Sequence, residues 1–378
     1  PNESLLFNIS GACYAGLGKF NAAVKLYEKA IAIKPDYSKA HFNLGATLQE
    51  LGQLDTAVKS YEKALAIKPD YAEAHNNLGI ALKELEQLDA AVKSFKKAIA
   101  IKPDYVEAHY SLGITLQELD QLDEAVKSYE AVLVIRPDFA KIHNNLGVVF
   151  QKLGQINEAV NRFQKAVAIQ SNFTDAYYNL GNAFKELGQL NEAVKVFEKA
   201  LAINQNYAEA HNNLGVALHD LGQLDEAVKC YEKALSIKPD YANAYNNLGG
   251  AFHDLRQLDA AVKSYENAIA VKPDYTEAYR NLSYLKKYTV DDPQIAQMQS
   301  LLSTNDLSQS DRINLCLALA KVNENLENQD KFFKFLNEGN RLRKEELDYS
   351  LDKDQNLFSI VKKMFRSPPS LSYEPSTT

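Results

Sequence analysis

Seven asparagines fall on a fixed spacing. Asn43, Asn77, Asn145, Asn179, Asn213, Asn247 and Asn281 stand 34 residues apart, or 68 where Ser111 takes the place of the amide. A primary amide both donates and accepts hydrogen bonds, so a row of them can pair with the backbone of an extended peptide whatever its sequence. A second amide precedes several of them, at Asn76, Asn144, Asn212 and Asn246. Asn is a mediocre helix former, so its recurrence within a helical pattern needs a reason. Either the row binds a ligand, or each amide bonds the next repeat and was copied by duplication.

Other reactive residue types are abundant but do not converge. Ser, His and Asp recur as repeat positions, with no spacing that assembles a triad, and no catalytic residue is assigned. Gly11 and Gly16 have the spacing of a phosphate loop but lack the Lys and the Ser/Thr that hold phosphate and metal. Five histidines, His41, His75, His109, His143 and His211, occupy one repeating position that packs, and His219 and His253 sit one repeat apart, too far to share a metal. No metal and no cofactor are therefore expected. Cys13, Cys230 and Cys316 form no CxxC pair and read as thiols in a reducing, cytoplasmic compartment. Lys59, Lys93, Lys127 and their equivalents form a basic column, but Glu62, Glu130 and others lie three residues on and the net charge is −7. That balance argues against a nucleic-acid or anionic-membrane surface. No apolar run reaches membrane-spanning length, and no signal-peptide pattern opens the chain.

The elements that carry the amides are copies of one unit, seen most plainly at 208–241. Eight copies begin in strict register at Ser4, Ser38, Ala72, Val106, Ala140, Thr174, Ala208 and Ala242, and a ninth at Thr276 degrades. Within the unit, small and apolar residues recur at threes and fours: His211, Leu214, Gly215 and Leu218, then Leu224, Ala227, Tyr231 and Ala234. This spacing predicts two helices per unit, with the turn at Gly222-Gln223 and a stop at Lys238-Pro239-Asp240. Asp225 is placed to cap the second helix, and Asp70 with Glu73 resembles a capping box at the start of the next unit. Counting from the first residue of each unit, positions four, seven, eight and eleven of the first helix pack. Positions two, five, six, nine and twelve form the opposite stripe, with the amide row at six.

The offsets of Leu44-Gly45, Ala57, Ala64 and Pro69 resemble the tetratricopeptide repeat, with His or Tyr where that family usually has Trp. The resemblance covers about Ser4 to Pro273. It implies an all-α fold, a right-handed superhelix of the α-solenoid kind with C-terminal capping helices. It also implies that the amide stripe lines a concave groove, binding a protein or an extended peptide. The row resembles the asparagine ladder in the repeats of O-linked N-acetylglucosamine transferase. The carboxylate clamp of other tetratricopeptide domains is not expected, because position five is Asn, Phe, Tyr or Arg rather than Lys.

The expected organisation is eight regular units over 4–275, degenerate helical pairs over 276–346, a capping helix over 347–366 and a linker over 367–378. Residues 293–302 read as a short helix, Ser308 as a helix start, and Ile313 to Leu342 as a worn unit with Leu319, Leu326, Leu336 and Gly339 at the repeat spacings. The segment from Asp292 through Glu338-Gly339-Asn340 to Leu357-Phe358 resembles the bridge that joins tetratricopeptide repeats to a sulfotransferase-like domain in bacterial proteins. That resemblance implies a transferase domain beyond Thr378. Opening directly in a repeat, the chain is expected to begin inside a longer protein. The junctions Gln170-Ser171-Asn172-Phe173 and Asn204-Gln205-Asn206-Tyr207 lack the proline of the others and are predicted to be the softest joints. The leading function is a peptide-binding scaffold without catalysis of its own. Two other classes stay open, an architectural spacer or self-association module and a catalytic transferase fragment.

Overall fold

The computed structural model describes residues 3–304, 306–347, 354, 355, 358, 359 and 362. Among these, twenty helices and no strand are defined. The apolar positions of the expected capping helix (Leu357, Ile360, Val361, Met364, Phe365) and the whole of 367–378 lie outside the described residues.

The chain divides into two compact units, Pro1–Gln205 and Asn206–Thr378. In the first, six helix pairs follow one another: α1 Glu3–Gly16 with α2 Phe20–Ile33, α3 Ser38–Glu50 with α4 Leu54–Ile67, α5 Ala72–Glu84 with α6 Leu88–Ile101, α7 Val106–Glu118 with α8 Leu122–Ile135, α9 Ala140–Lys152 with α10 Ile156–Ile169, and α11 Thr174–Glu186 with α12 Leu190–Ile203. In the second, α13 Ala208–Asp220 pairs with α14 Leu224–Ile237 and α15 Ala242–Asp254 with α16 Leu258–Val271. The short α17 Thr276–Ser283 follows, then α18 Pro293–Leu302, α19 Gln309–Asn325 and α20 Gln329–Glu346.

Each pair closes on one aromatic ring. Tyr61, Phe95, Tyr129, Phe163 and Phe197 are fully buried on the second helices. The position-eight glycines of the first helices lie flat against them. A Cβ at Gly147 would stand 2.5 Å from Phe163, and one at Gly79 2.6 Å from Phe95. Ala57, Ala91, Ala125, Ala159 and Ala193 let the second helix approach in the same way, and all are completely buried. The turn between the helices places one residue at positive φ, Gly52 and Gly154 among others, but Glu86, Asp120 and Arg256 where glycine is missing.

The caps differ from those expected. Helix α14 begins at Leu224, so its cap is Gln223, whose side chain makes no capping bond, and Asp225 lies inside the first turn. Its carboxylate acts there on the positive end of the helix dipole instead. Likewise α5 begins at Ala72 behind Tyr71, not behind Asp70. The junction is held by other means. In Lys-Pro-Asp-Tyr the lysine lies over the tyrosine ring, at 4.8 Å for Lys68 on Tyr71, 4.9 Å for Lys102 on Tyr105 and 4.9 Å for Lys238 on Tyr241. The histidine at position four then reaches back to the proline carbonyl, at 3.0 Å from His75 Nε2 to Pro69 and 3.1 Å from His143 to Pro137.

In the second unit, the C-terminal helices start on true caps. Asp292 accepts from the Gln294 N–H at 3.0 Å, and Ser308 from Asp311 at 3.1 Å. Met298 of α18 is fully buried, and Gly339 brings α20 against Cys316 and Leu317 of α19.

Candidate functional site

Direct contacts join first helix to first helix, α1 to α3, α3 to α5, α5 to α7 and α9 to α11 in the first unit, and α13 to α15 and α15 to α17 in the second. Each unit thus has a layer of first helices. All seven predicted amides lie on this layer and are half-buried: Asn43, Asn77, Asn145 and Asn179 in the first unit, Asn213, Asn247 and Asn281 in the second. Beside them at position nine stand the half-buried Ile80, Ile114, Val148 and Val216. The arrangement is a stripe of amides and aliphatic side chains, partly open to solvent.

Position five departs from the expected stripe. Asn76, Asn144, Asn212 and Asn246 are buried. The reason is a bond between repeats. Asn179 Nδ2 donates to Asn144 Oδ1 at 3.0 Å, Asn247 to Asn212 at 3.0 Å, Asn281 to Asn246 at 3.1 Å, and Asn43 to Asn8 at 3.0 Å. A half-buried amide gives one N–H to a buried carbonyl one repeat back, which satisfies an acceptor that burial would otherwise strand.

In α3, α7 and α11 position five is aromatic. Phe42 packs on Tyr61 and Tyr71, with centroids 5.9 and 5.0 Å apart, Tyr110 on Tyr129 at 6.4 Å, and Tyr178 on Phe197 at 6.1 Å. The amide that follows Tyr110 then turns to another acceptor, Asn145 Nδ2 reaching the Tyr129 hydroxyl at 3.5 Å. Asn77 and Asn213 accept from their own neighbours Asn76 and Asn212. Sequence reasoning missed this division of labour, although the alternation Asn8, Phe42, Asn76, Tyr110, Asn144, Tyr178 was there to be read.

One edge of the layer is also laced between repeats. Gln49 donates to Glu84 at 3.0 Å, Lys83 pairs with Glu118 at 2.8 Å, and Gln151 donates to Glu186 at 2.9 Å. In the second unit, Asp254 takes His219 at 2.9 Å and His253 at 3.1 Å, and these bonds hold its carboxyl below the usual range against the opposing effect of its partial burial. Among the described residues no group of three or more His, Cys, Asp or Glu is placed to hold a metal ion. No helix among them is long and apolar enough to cross a membrane. The basic column faces solvent, with Lys59 and Lys93 exposed on second helices. Its expected pairing with glutamate three residues on is replaced by bonds such as Arg162 to Glu130 across repeats, 3.1 Å.

The family described as TPR repeat matches residues 11–52, 48–85, 81–120, 116–154, 150–188, 181–222 and 217–256, and that described as tetratricopeptide repeat matches 242–275. Among solved structures, the chain is similar to MamA, at 30% identity over 43% of this chain and 95% of that one, TM-score 0.41. It is similar to YrrB, titled a TPR protein with an unusual peptide-binding site, at 25% identity over 50% and 96%, TM-score 0.44. A third is pilF of Pseudomonas aeruginosa, at 20% identity over 53% and 92%, TM-score 0.47. No curated protein matches the chain.

Proposed function

The chain belongs to the tetratricopeptide repeat family, and from that premise we propose that it binds an extended polypeptide along the amide stripe of its first helices. The observation that carries the reading is the half-buried amide row itself. In Asn43, Asn179, Asn247 and Asn281 the bond to the preceding repeat uses one N–H of Nδ2. The Oδ1 lone pairs and a second N–H are left to a ligand backbone. Repeats stack roughly 8–10 Å apart and a strand advances about 3.3–3.6 Å per residue, so one amide meets roughly every third residue. Backbone pairing of this kind gives broad specificity, and Ile80, Ile114 and Val148 add a preference for apolar contact.

The test is affinity for an extended peptide, chain against the variant Asn43→Ala, Asn77→Ala, Asn145→Ala, Asn179→Ala, with thermal melting alongside. At about 0.5–1.5 kcal/mol per lost bond, affinity falls by roughly 2–6 kcal/mol if the four add. A spacer is the second reading, and the bonds between Asn43 and Asn8 and between Asn179 and Asn144 favour it. It expects a lower melting temperature with no change in affinity.

Two finer elements belong to the same proposal. The site is cytoplasmic, supported by cysteines that form no disulfide. The bound polypeptide is presented to a sulfotransferase-like domain, supported by the resemblance of the segment from Asp292 to Phe358. Sulfate transfer by the isolated chain would oppose that division of labour.

A further inference from the structure

The amide row has one break, at Ser111, and the break leaves a mark. Asn8, Asn144, Asn212 and Asn246 each accept, at a buried Oδ1, an N–H from the amide of the following repeat. Asn76 occupies the same column and is only 4% exposed, yet among the described residues its Oδ1 has no hydrogen-bond partner. The residue in front of it is Ser111, whose hydroxyl sits one bond nearer its backbone than an Asn amide nitrogen would. A buried carbonyl without a donor is costly, and the other repeats of this column show that a side-chain N–H is what it takes.

The surroundings of the gap are acidic. Glu73 on α5 and Glu107 on α7 are exposed one helical turn from it. Burial first, and then both carboxylates, push the Tyr105 phenol up. Among the described residues neither forms an ion pair. The cations nearby each have a partner, Lys68 over Tyr71, Lys102 over Tyr105, Lys83 with Glu118, and Lys141 over Tyr110 beside Ser111. Ile80 and Ile114 stand half-buried alongside.

We propose that the break at Ser111 is a subsite for an arginine side chain of the bound polypeptide, a reading that rests on the peptide-binding function above. The guanidinium presents five N–H donors and no acceptor, so it can serve Asn76 Oδ1 and a carboxylate at once. Its aliphatic stem lies over Ile80 and Ile114. A lysine offers the same charge with a less fitted set of donors.

The experiment is fluorescence anisotropy with the whole chain. The probe is a labelled peptide of about ten residues, enough to cross roughly three repeats, made of Ser and Ala with one central arginine. Its twin carries glutamine there. The arginine peptide is expected to bind about tenfold tighter or more, as for a charge-assisted bond. Ser111→Asn completes the column, so it abolishes that difference, holds or raises the affinity of the glutamine twin as one more amide of the row, and raises the melting temperature. Glu62→Gln with Glu130→Gln removes charge from second helices and leaves the preference intact. Equal binding of the twins overturns the subsite while peptide binding stands. A preference that survives Ser111→Asn also overturns it, with water serving Asn76, and a preference lost in the second-helix control reduces it to general charge attraction. Binding of neither peptide overturns both the subsite and the function it rests on.

Discussion

At the scale of single residues, two columns are set by close approach and by burial. The position-eight glycines are not there for backbone freedom, since they are helical. They are there because the ring of the second helix occupies the place of a Cβ, at 2.5 Å for Gly147 against Phe163. Phe163 is fully buried, so it has nowhere to yield. Gly147→Ala is therefore expected to destabilise by about 1–3 kcal/mol in denaturant melts, the range for overpacking. Two of the position-four histidines act through charge. Burial pushes the His75 and His143 imidazoles below their usual pKa, although the Pro69 and Pro137 carbonyls pull the other way. In both rings Nδ1 is buried without a partner among the described residues. The unfolded chain thus takes up protons that the fold refuses. Stability should fall as pH drops below about 6.5, the unfolded value, and level off below the depressed folded values. Tyr279 holds the Pro273 carbonyl at 3.1 Å from the same position. His75→Tyr with His143→Tyr should keep the fold and flatten that slope, read by melting temperature from pH 8 to pH 5.

At the scale of elements, the turns carry a correctable strain. Glu86 and Arg256 hold φ of +60° and +62° where other units have glycine. A left-handed residue with a side chain costs about 1–2 kcal/mol, part of which glycine's unfolded freedom takes back. Glu86→Gly or Arg256→Gly should raise stability by about 0.5–1 kcal/mol, and Asp120→Gly by less, because Asp tolerates this region better. An unchanged or lower melting temperature in both would reject the argument. The helices themselves were legible from the sequence, because Leu214, Leu218, Ala227 and Tyr231 mark a period that no tertiary contact needs to supply. The row at Asn43, Asn77 and the rest was legible for the same reason. Which way each amide turns was not. That depends on the residue at position five one repeat back, Asn144 before Asn179 but Tyr110 before Asn145, a pairing across 35 residues that a helical period does not display. The caps were misread because the cap position falls on Gln223, two residues before Asp225, and on Tyr71, one residue after Asp70.

At the scale of the whole molecule, stacked repeats transmit stability only from neighbour to neighbour, so the weakest joint decides where the array opens first. The division of the chain between Gln205 and Asn206 falls in one of the two junctions that lack proline. The folded backbone gives no reason for a difference. Gln170 has φ −127° and ψ 93°, Lys102 has φ −130° and ψ 91°, and both junctions close with the same turn bond, Phe173 N–H to the Gln170 carbonyl and Tyr105 N–H to that of Lys102, each 3.1 Å. What differs is the unfolded chain and the side chains. Proline in a compatible turn is worth about 0.4–1 kcal/mol through the unfolded state. The cation over the ring adds about 0.5–1 kcal/mol at an exposed site. Residues 170–173 and 204–207 carry neither a proline nor a Lys or Arg at the position that stacks. The two together come to about 1–2 kcal/mol, or roughly a tenfold faster opening. Native-state hydrogen exchange should therefore show the amides around Phe173 and Tyr207 exchanging about that much sooner than those around Tyr71 and Tyr105. Gln170→Lys with Ser171→Pro should bring the first of these joints back to the rate of the others and leave the second untouched. Uniform exchange along the array, or a rescue that slows both joints alike, would mean that opening is governed by something other than the local chemistry of the junction.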